Sequence, residues 1–364
     1  MRAFVPAALP PVPALKLIGG VRHALDQALI ALGRLDGVAA TLPDAHLLLY
    51  TYVRKEAVLS SQIEGTQSTL DDLLRHELGA APGVPAEDVA VVSRYVDALN
   101  HGLRRLRNGF PLSNRLLREM HAILLSVGSG ASKTPGEFRR SQNWIGGAKP
   151  GNAVFVPPPP QNVEPCMGQL EKFLHSDTSP LVKAALAHLQ FETIHPFLDG
   201  NGRIGRLLVT LMLCNDQVLR EPLLYSSLYF KQHRRRYYTE LNAARETGDF
   251  EGWIEFFATA IRVSAEQAVA TAHRIFAVFQ KDRELLKGLG RRAPAALLVQ
   301  EALQTQPLAT IAVLTKATGL TTPTVIQALG TLEERRIVRE SSGRARGRVY
   351  SYVRYLNALN AESD

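Results

Sequence analysis

Apolar residues recur at helical spacing through most of the chain, and helices are the expected element almost throughout. The periodicity begins near Val21, after a Pro-rich arm from Pro6 to Pro13. Between Leu47 and Leu74 it is carried by Leu48, Tyr52, Leu59 and Ile63. Gly65 falls where a C-cap glycine would end that helix. Ser68 and Thr69 can cap the next, which opens on Leu70-Asp71-Asp72 with its acids at the positive end of the helix dipole. A Gly/Pro-rich break from Gly79 to Pro85 precedes a helix over Ala86 to Arg107, and Ser113 caps another through Leu125. Further helices are expected over about Val163–Ser176, Ser179–Ile194, Gly202–Asp216, Ser227–Arg245 and Phe250–Lys287. The pattern changes at Gly136 to Pro160. There Phe138, Trp144 and Ile145, then Ala153-Val154-Phe155-Val156, read as two short strands around Gly146-Gly147 and Lys149-Pro150-Gly151, and four prolines end them.

After Gly288, Gly290, Arg291 and Arg292, which mark a linker, the order of elements is different. Three helices are expected at Pro294–Gln304, Ala309–Thr318 and Thr322–Arg335. A hairpin follows, with Ile337-Val338-Arg339 and Arg348 to Val353 flanking Ser341 to Gly347. Three helices and a two-stranded wing resemble a winged-helix domain. The expected organisation is therefore an N-terminal helical region over 1–110, a helical core over 111–288 and a winged helix over 291–358.

Composition narrows the class. The 364 residues are 46% hydrophobic and 21% charged, ordinary globular usage that excludes a disordered or fibrous chain. Residues 291–355 hold ten Lys/Arg against four Asp/Glu, so they carry +6 of the chain's +8. Arg344, Arg346 and Arg348 on the wing would suit phosphate, with Thr322–Arg335 as a recognition helix, and DNA is one partner to consider. Against it, Val325, Leu329 and Leu332 are apolar, and few base-reading side chains lie between Thr321 and Gly330. Lys231 to Arg236 reads as a solvated helix face. Cys166 and Cys214 lie in apolar stretches and read as reduced, buried thiols of a cytoplasmic protein. No apolar run spans a bilayer, and the proline-broken N-terminus does not read as a signal peptide, so no membrane partner is expected.

The chemistry concentrates in His195-Pro196-Phe197-Leu198-Asp199-Gly200-Asn201-Gly202-Arg203-Ile204-Gly205-Arg206. A histidine ends one helix, and a glycine-rich turn opens the next with its N–H groups exposed, an anion cradle suited to phosphate. Arg203 and Arg206, three apart, share one helix face. Asp199 is a hard oxygen ligand suited to Mg²⁺ beside a polyphosphate, and His195 a candidate general base. His188 shares a face with His195, yet lacks a third ligand at metal spacing and reads as structural.

This stretch resembles the Fic family, whose pattern HxFx(D/E)GNGRxxR is matched at every specified position. The resemblance implies a mostly helical Fic fold with a short β-hairpin flap. It implies transfer of AMP from ATP to a Tyr, Thr or Ser hydroxyl of a target protein or of the chain itself, with release of pyrophosphate. By that resemblance His195 deprotonates the hydroxyl and Asp199 holds Mg²⁺. Gly200, Asn201 and Gly202 bind phosphate oxygens through backbone and side chain, Arg203 neutralises the leaving pyrophosphate and Arg206 reaches the γ-phosphate. Ser60-Ser61-Gln62-Ile63-Glu64-Gly65 looks like the family's inhibitory helix, (S/T)xxxE(G/N), with Glu64 paired to Arg206. Residues 136–159 take the place of the target-docking flap, with Ile145 near the nucleotide, and Tyr237 or Tyr238 the place of a tyrosine beside adenine. Relatives also use other donors or remove AMP, and a homo-oligomer of this chain stays open. The competing class is a DNA-binding regulator whose Fic core senses nucleotide.

Overall fold

Capping chemistry sets many of the helix starts. The computed structural model describes residues 3–41, 46–80, 83–147, 150–344 and 346–361. Helices α1 (Gly19–Thr41), α2 (His46–Ile63), α3 (Leu70–Glu77) and α4 (Ala86–Arg107) build the first third. A capping box between Thr69 and Asp72 opens α3, and Gly65, at φ +102°, makes the turn before it. The Ser113 hydroxyl accepts from the Leu116 N–H to start α5 (Asn114–Leu124). Next come α6 (Pro160–Leu174), α7 (Pro180–Ile194), α8 (Asn201–Asn215), α9 (Ser227–Gln232), α10 (Arg234–Thr247) and α11 (Phe250–Lys287). The single helix expected over 227–245 is broken at His233, which leaves helical dihedrals (φ −111°, ψ 33°) and stacks on Tyr229 at 4.0 Å.

Helix α7 is buried on every side from Leu181 to Ile194, so its polar groups need partners. Lys183 pairs with Asp216 at 2.9 Å, and Trp253 Nε1 donates to the Ala185 carbonyl at 2.8 Å. His188 Nδ1 donates to the Gly205 carbonyl (2.9 Å), and Nε2 accepts from Tyr237 OH (2.8 Å). This is the structural histidine the sequence suggested. Helix α11 spans 38 residues, about 57 Å at 1.5 Å per residue, and backs both α1 and α7.

The C-terminal segment comprises α12 (Ala293–Thr305), β1 (Leu308–Thr310), α13 (Ile311–Thr318), α14 (Thr322–Glu334), β2 (Val338–Glu340), β3 (Val349–Tyr352) and α15 (Val353–Asn360). Its antiparallel sheet has the order β1-β3-β2, with Ala309 opposite Tyr350 and Arg339 opposite Ser351. The expected hairpin therefore gains a third strand. Residues 308–310 are strand rather than helix, and Thr310 caps α13 by accepting from the Val313 N–H. Helix α15 was outside the expectation. It rests on α2 and α11: Tyr355 OH bonds Thr51 Oγ1 (2.9 Å), Lys55 Nζ donates to the Leu359 carbonyl (2.8 Å), and buried Asp282 takes both Tyr352 OH and Arg354.

The two flap strands reduce to one bridge, Ile145 with Phe155. Gly146 and Gly147, at φ +68° and +75°, turn the chain directly after Ile145. Prolines 157–160 have no N–H to continue a ladder. Ala148 and Lys149, expected at the flap's turn, and Ala345 of the wing lie outside the described residues. Cys166 is buried, Cys214 half-buried, and both are free. Among the described residues no helix is long and apolar enough to cross a membrane.

Candidate active site

Helix α7 must stop at His195, because the following Pro196 disfavours a helical residue before it. His195 instead adopts the left-handed region (φ 48°, ψ 61°), and its N–H returns to the Phe191 carbonyl. Its Nδ1 is buried 3.9 Å from Glu192 Oε2. Burial, reinforced by the Arg245 guanidinium and opposed by Glu64, pushes the imidazole pKa down to about 3. The ring is therefore neutral at physiological pH, the form a general base needs.

The loop after His195 is braced from two sides. His121 Nε2 donates to the Asp199 carbonyl (3.0 Å), and its Nδ1 accepts from the Gly136 N–H (2.8 Å), which fixes the tautomer. Its ring stacks on Phe197 at 3.7 Å. Asn201 closes the loop from within, accepting from the Phe197 N–H and donating to the Phe197 carbonyl, both at 2.8 Å. The amide oxygen of Asn201 and one of its two amide N–H groups are thus engaged by the loop. Gly200 has φ +74° and donates to Asp199 Oδ1 at 2.6 Å. Arg203 Nη2 stands 3.5 Å from that same oxygen. Asp199 is 42% exposed, and its Oδ2 accepts no hydrogen bond among the described residues. A carboxyl oxygen open to solvent beside an anion cradle fits Mg²⁺.

Arg206 is 1% exposed. Its Nε donates to Ser60 Oγ (2.8 Å) and its Nη2 to the Ser60 carbonyl (2.9 Å) and to Glu64 Oε1 (2.7 Å). Burial raises the cost of ionising Glu64, but Arg206 outweighs it and holds the carboxyl below its ordinary pKa. The same carboxylate crowds Gly202, where a Cβ would collide with Glu64 Oε1 and push it from its place on Arg206. Ser60 and Glu64 on the α2 side thus meet Arg206 of α8, with Glu64 also against Gly202.

Glu64, His195, Gly202 and Arg206 line one cleft of about 260 Å³, together with Trp144, Ile145 and Gly146 of the flap and Tyr237, Tyr238 and Leu241 of α10. The tyrosines differ. Tyr237 is buried with its hydroxyl committed to His188, while Tyr238 is only partly buried. Two lining residues, Glu192 and Arg245, were missed. Glu192 is a buried carboxyl whose Oε1 has no hydrogen-bond partner, and burial lifts its pKa to about 7. Gly205 gives it room, since a Cβ there would stand 2.5 Å from Oε1. The available signal was the one acid in a helix of mostly apolar residues. Arg245 donates to Thr193 Oγ1 (3.1 Å) and lies over the Phe155 ring at 4.2 Å. Nothing in the local pattern marked it.

A left-handed histidine, a glycine turn opening a helix and two arginines share one cleft on a helical scaffold. Two family models match the chain: Fic/DOC family N-terminal over residues 22–104 and Fic/DOC family over 111–213. Together they cover just over half of it, and the chain belongs to the Fic/DOC family. Curated relatives named protein adenylyltransferase Fic include those of Aedes aegypti, 39% identical over 127 residues, and Drosophila melanogaster, 38% over 127 residues. Each match covers 34% of this chain but only 23% of the relative's length. Among solved structures, a Fic family protein from Desulfovibrio desulfuricans aligns with TM-score 0.60 at 23% identity over 94% of this chain and 98% of its own. Fic-1 from C. elegans aligns with TM-score 0.51 at 21% identity, covering 68% of this chain and 73% of that one. These structural likenesses extend the fold assignment beyond the matched motifs.

Proposed function

We propose that the chain is an autoinhibited protein adenylyltransferase, which moves AMP from ATP to a hydroxyl side chain and releases pyrophosphate. The observation that carries the reading is the Arg206–Glu64 ion pair at the mouth of the glycine turn. A buried guanidinium beside a phosphate cradle already holds a carboxylate where an anionic phosphate would sit. In this reading, displacing Glu64 frees Arg206 for the γ-phosphate. Arg203 neutralises the departing pyrophosphate. The target hydroxyl, delivered along residues 136–159, gives its proton to His195 Nε2, since Nδ1 is turned into the protein. The new P–O bond forms at the α-phosphorus as the bond to pyrophosphate breaks. Asp199 would hold Mg²⁺, which supplies neutralisation of phosphate charge when bound. Positioning and charge neutralisation suffice for this chemistry. Tyr238, the more accessible of the two tyrosines, borders the nucleobase in this reading.

The test is incubation of wild type, Glu64→Gly and Glu64→Gly/His195→Ala with Mg²⁺ and α-labelled ATP, with label followed on the chain and in a cell lysate. Label is expected with Glu64→Gly and lost in the double variant. Equal labelling of wild type and Glu64→Gly removes the inhibitory role. No label anywhere, with ATP still bound, removes AMP transfer and turns attention to other donors or AMP removal. The +6 segment at 291–355 is the place where a DNA-binding role would appear, as a steep salt dependence of affinity. The outward face of α14, with Thr322, Pro323, Ile326 and Gln327 exposed, offers no cation to that role.

A further inference from the structure

Arg139 lies at the base of the flap, 2% exposed, and meets no carboxylate among the described residues. Its guanidinium is satisfied by four main-chain carbonyls. Nε donates to His195 (2.9 Å), Nη1 to Ser141 (3.2 Å), and Nη2 to Pro158 (2.6 Å) and Ile194 (3.3 Å). Two of these carbonyls belong to the base and its neighbour. The other two belong to the outgoing and returning arms of the flap. The Arg139 N–H adds a bond to the Pro196 carbonyl at 2.9 Å. Asn143, further along the outgoing arm, donates to the Phe197 carbonyl at 3.1 Å.

The geometry points to Arg139 as a positioning residue for the base, one that ties the two arms of the flap and His195 into a single unit. This inference rests on the adenylyltransferase reading for its chemistry, though not for its geometry. His195 is a non-glycine residue in the left-handed region, a disfavoured conformation that persists only where its surroundings over-determine it. A bond from Arg139 Nε to the His195 carbonyl fixes ψ at that residue and hence where the imidazole stands. Only a planar fork carrying five donors can serve carbonyls in several directions at once. The same fork grips Ser141 and Pro158, so a target strand that steadies the flap also steadies the base. Removing the side chain would leave buried carbonyls unsatisfied at both ends of the link.

The test uses the full chain with Arg139→Lys and Arg139→Met, first by hydrogen–deuterium exchange without nucleotide. The expected result is faster exchange in 141–147, 153–158 and 195–201 together, larger for Met than for Lys, with α12 to α15 unchanged. Faster exchange in the flap alone, or uniformly through the chain, would overturn the link. In the second arm, each change is added to Glu64→Gly and label transfer from ATP is measured. A misplaced base should lower kcat by on the order of a hundredfold with ATP affinity unchanged and partial rescue by Lys. Loss of ATP affinity in step with kcat would mean a merely structural residue. If the Glu64→Gly parent transfers no AMP, the functional reading fails while the exchange measurement still decides the role of Arg139.

Discussion

Replacing Glu64 by Gln keeps the side chain's volume and an acceptor oxygen while removing the charge that faces Arg206. Arg206 is 1% exposed and Glu64 38% exposed. Removing one partner of a fully buried pair costs 3–5 kcal/mol, and exposed pairs are worth at most about 1 kcal/mol. For this half-screened pair, with Arg206 keeping its two bonds to Ser60, about 1–2 kcal/mol is the reasonable figure. In the proposed mechanism ATP must displace that carboxylate. The variant should therefore bind Mg·ATP about 5- to 30-fold more tightly than wild type, even as its apo form melts at a lower temperature. Titration calorimetry at fixed salt measures the first effect and thermal unfolding the second. Because Arg206 holds the Glu64 carboxyl below its ordinary pKa, the pair is intact above about pH 4.5 and lost only as the pH falls through the lower folded value. Its contribution to ATP affinity should thus be flat from pH 8 to about pH 5. Unchanged or weaker ATP binding in Glu64→Gln would refute the view that carboxylate and phosphate compete for Arg206.

Two further outcomes follow from the same geometry. Glu56 is 2% exposed, and burial lifts its carboxyl to about pKa 7 despite its bonds to Ser227. Its stabilising contribution is complete below about pH 4.5 and disappears as the pH rises through about 7, so Glu56→Gln should gain roughly 2.5 kcal/mol relative to wild type between pH 5 and pH 8, read by urea unfolding at both values. Gly202→Ala should destabilise wild type by about 1–3 kcal/mol through its collision with Glu64, and much less in a Glu64→Gly background. Equal costs in the two backgrounds would show that the clash is not with that carboxylate.

The chemistry-bearing loop was legible because glycine, proline and caps act locally. Gly200 and Pro196 force their turns wherever the chain lies, and Thr69 and Ser113 mark helix starts by their own hydrogen bonds. The Glu64–Arg206 pairing was legible only through resemblance, since 142 positions separate the partners. Glu192, Arg245 and Arg139 escaped for a related reason. Each is an ordinary polar residue in its own element, and its meaning lies in carbonyls and rings brought from elsewhere in the fold. The flap was overdrawn as two strands because β-branched and aromatic residues signal extended backbone, whereas pairing also needs N–H groups that the prolines lack.

Helix α2 meets two different parts of the molecule. Near one end, Thr51 and Lys55 hold Tyr355 and Leu359 of α15, and near the other Ser60 and the adjoining Glu64 hold Arg206. Thr51 and Ile63 lie about 18 Å apart along a stiff rod. Glu64 can leave Arg206 by rotating its own side chain, and that movement ends within a few ångströms. If instead the rod itself shifts, the far contacts must break or α15 must travel with it. By linkage, anything that stabilised the shifted rod at one end would lower the cost of release at the other, and by the same amount in reverse. In the proposed mechanism there are thus a local and a long-range route to the same open cleft, distinguishable by whether Tyr355 changes its environment on addition of ATP.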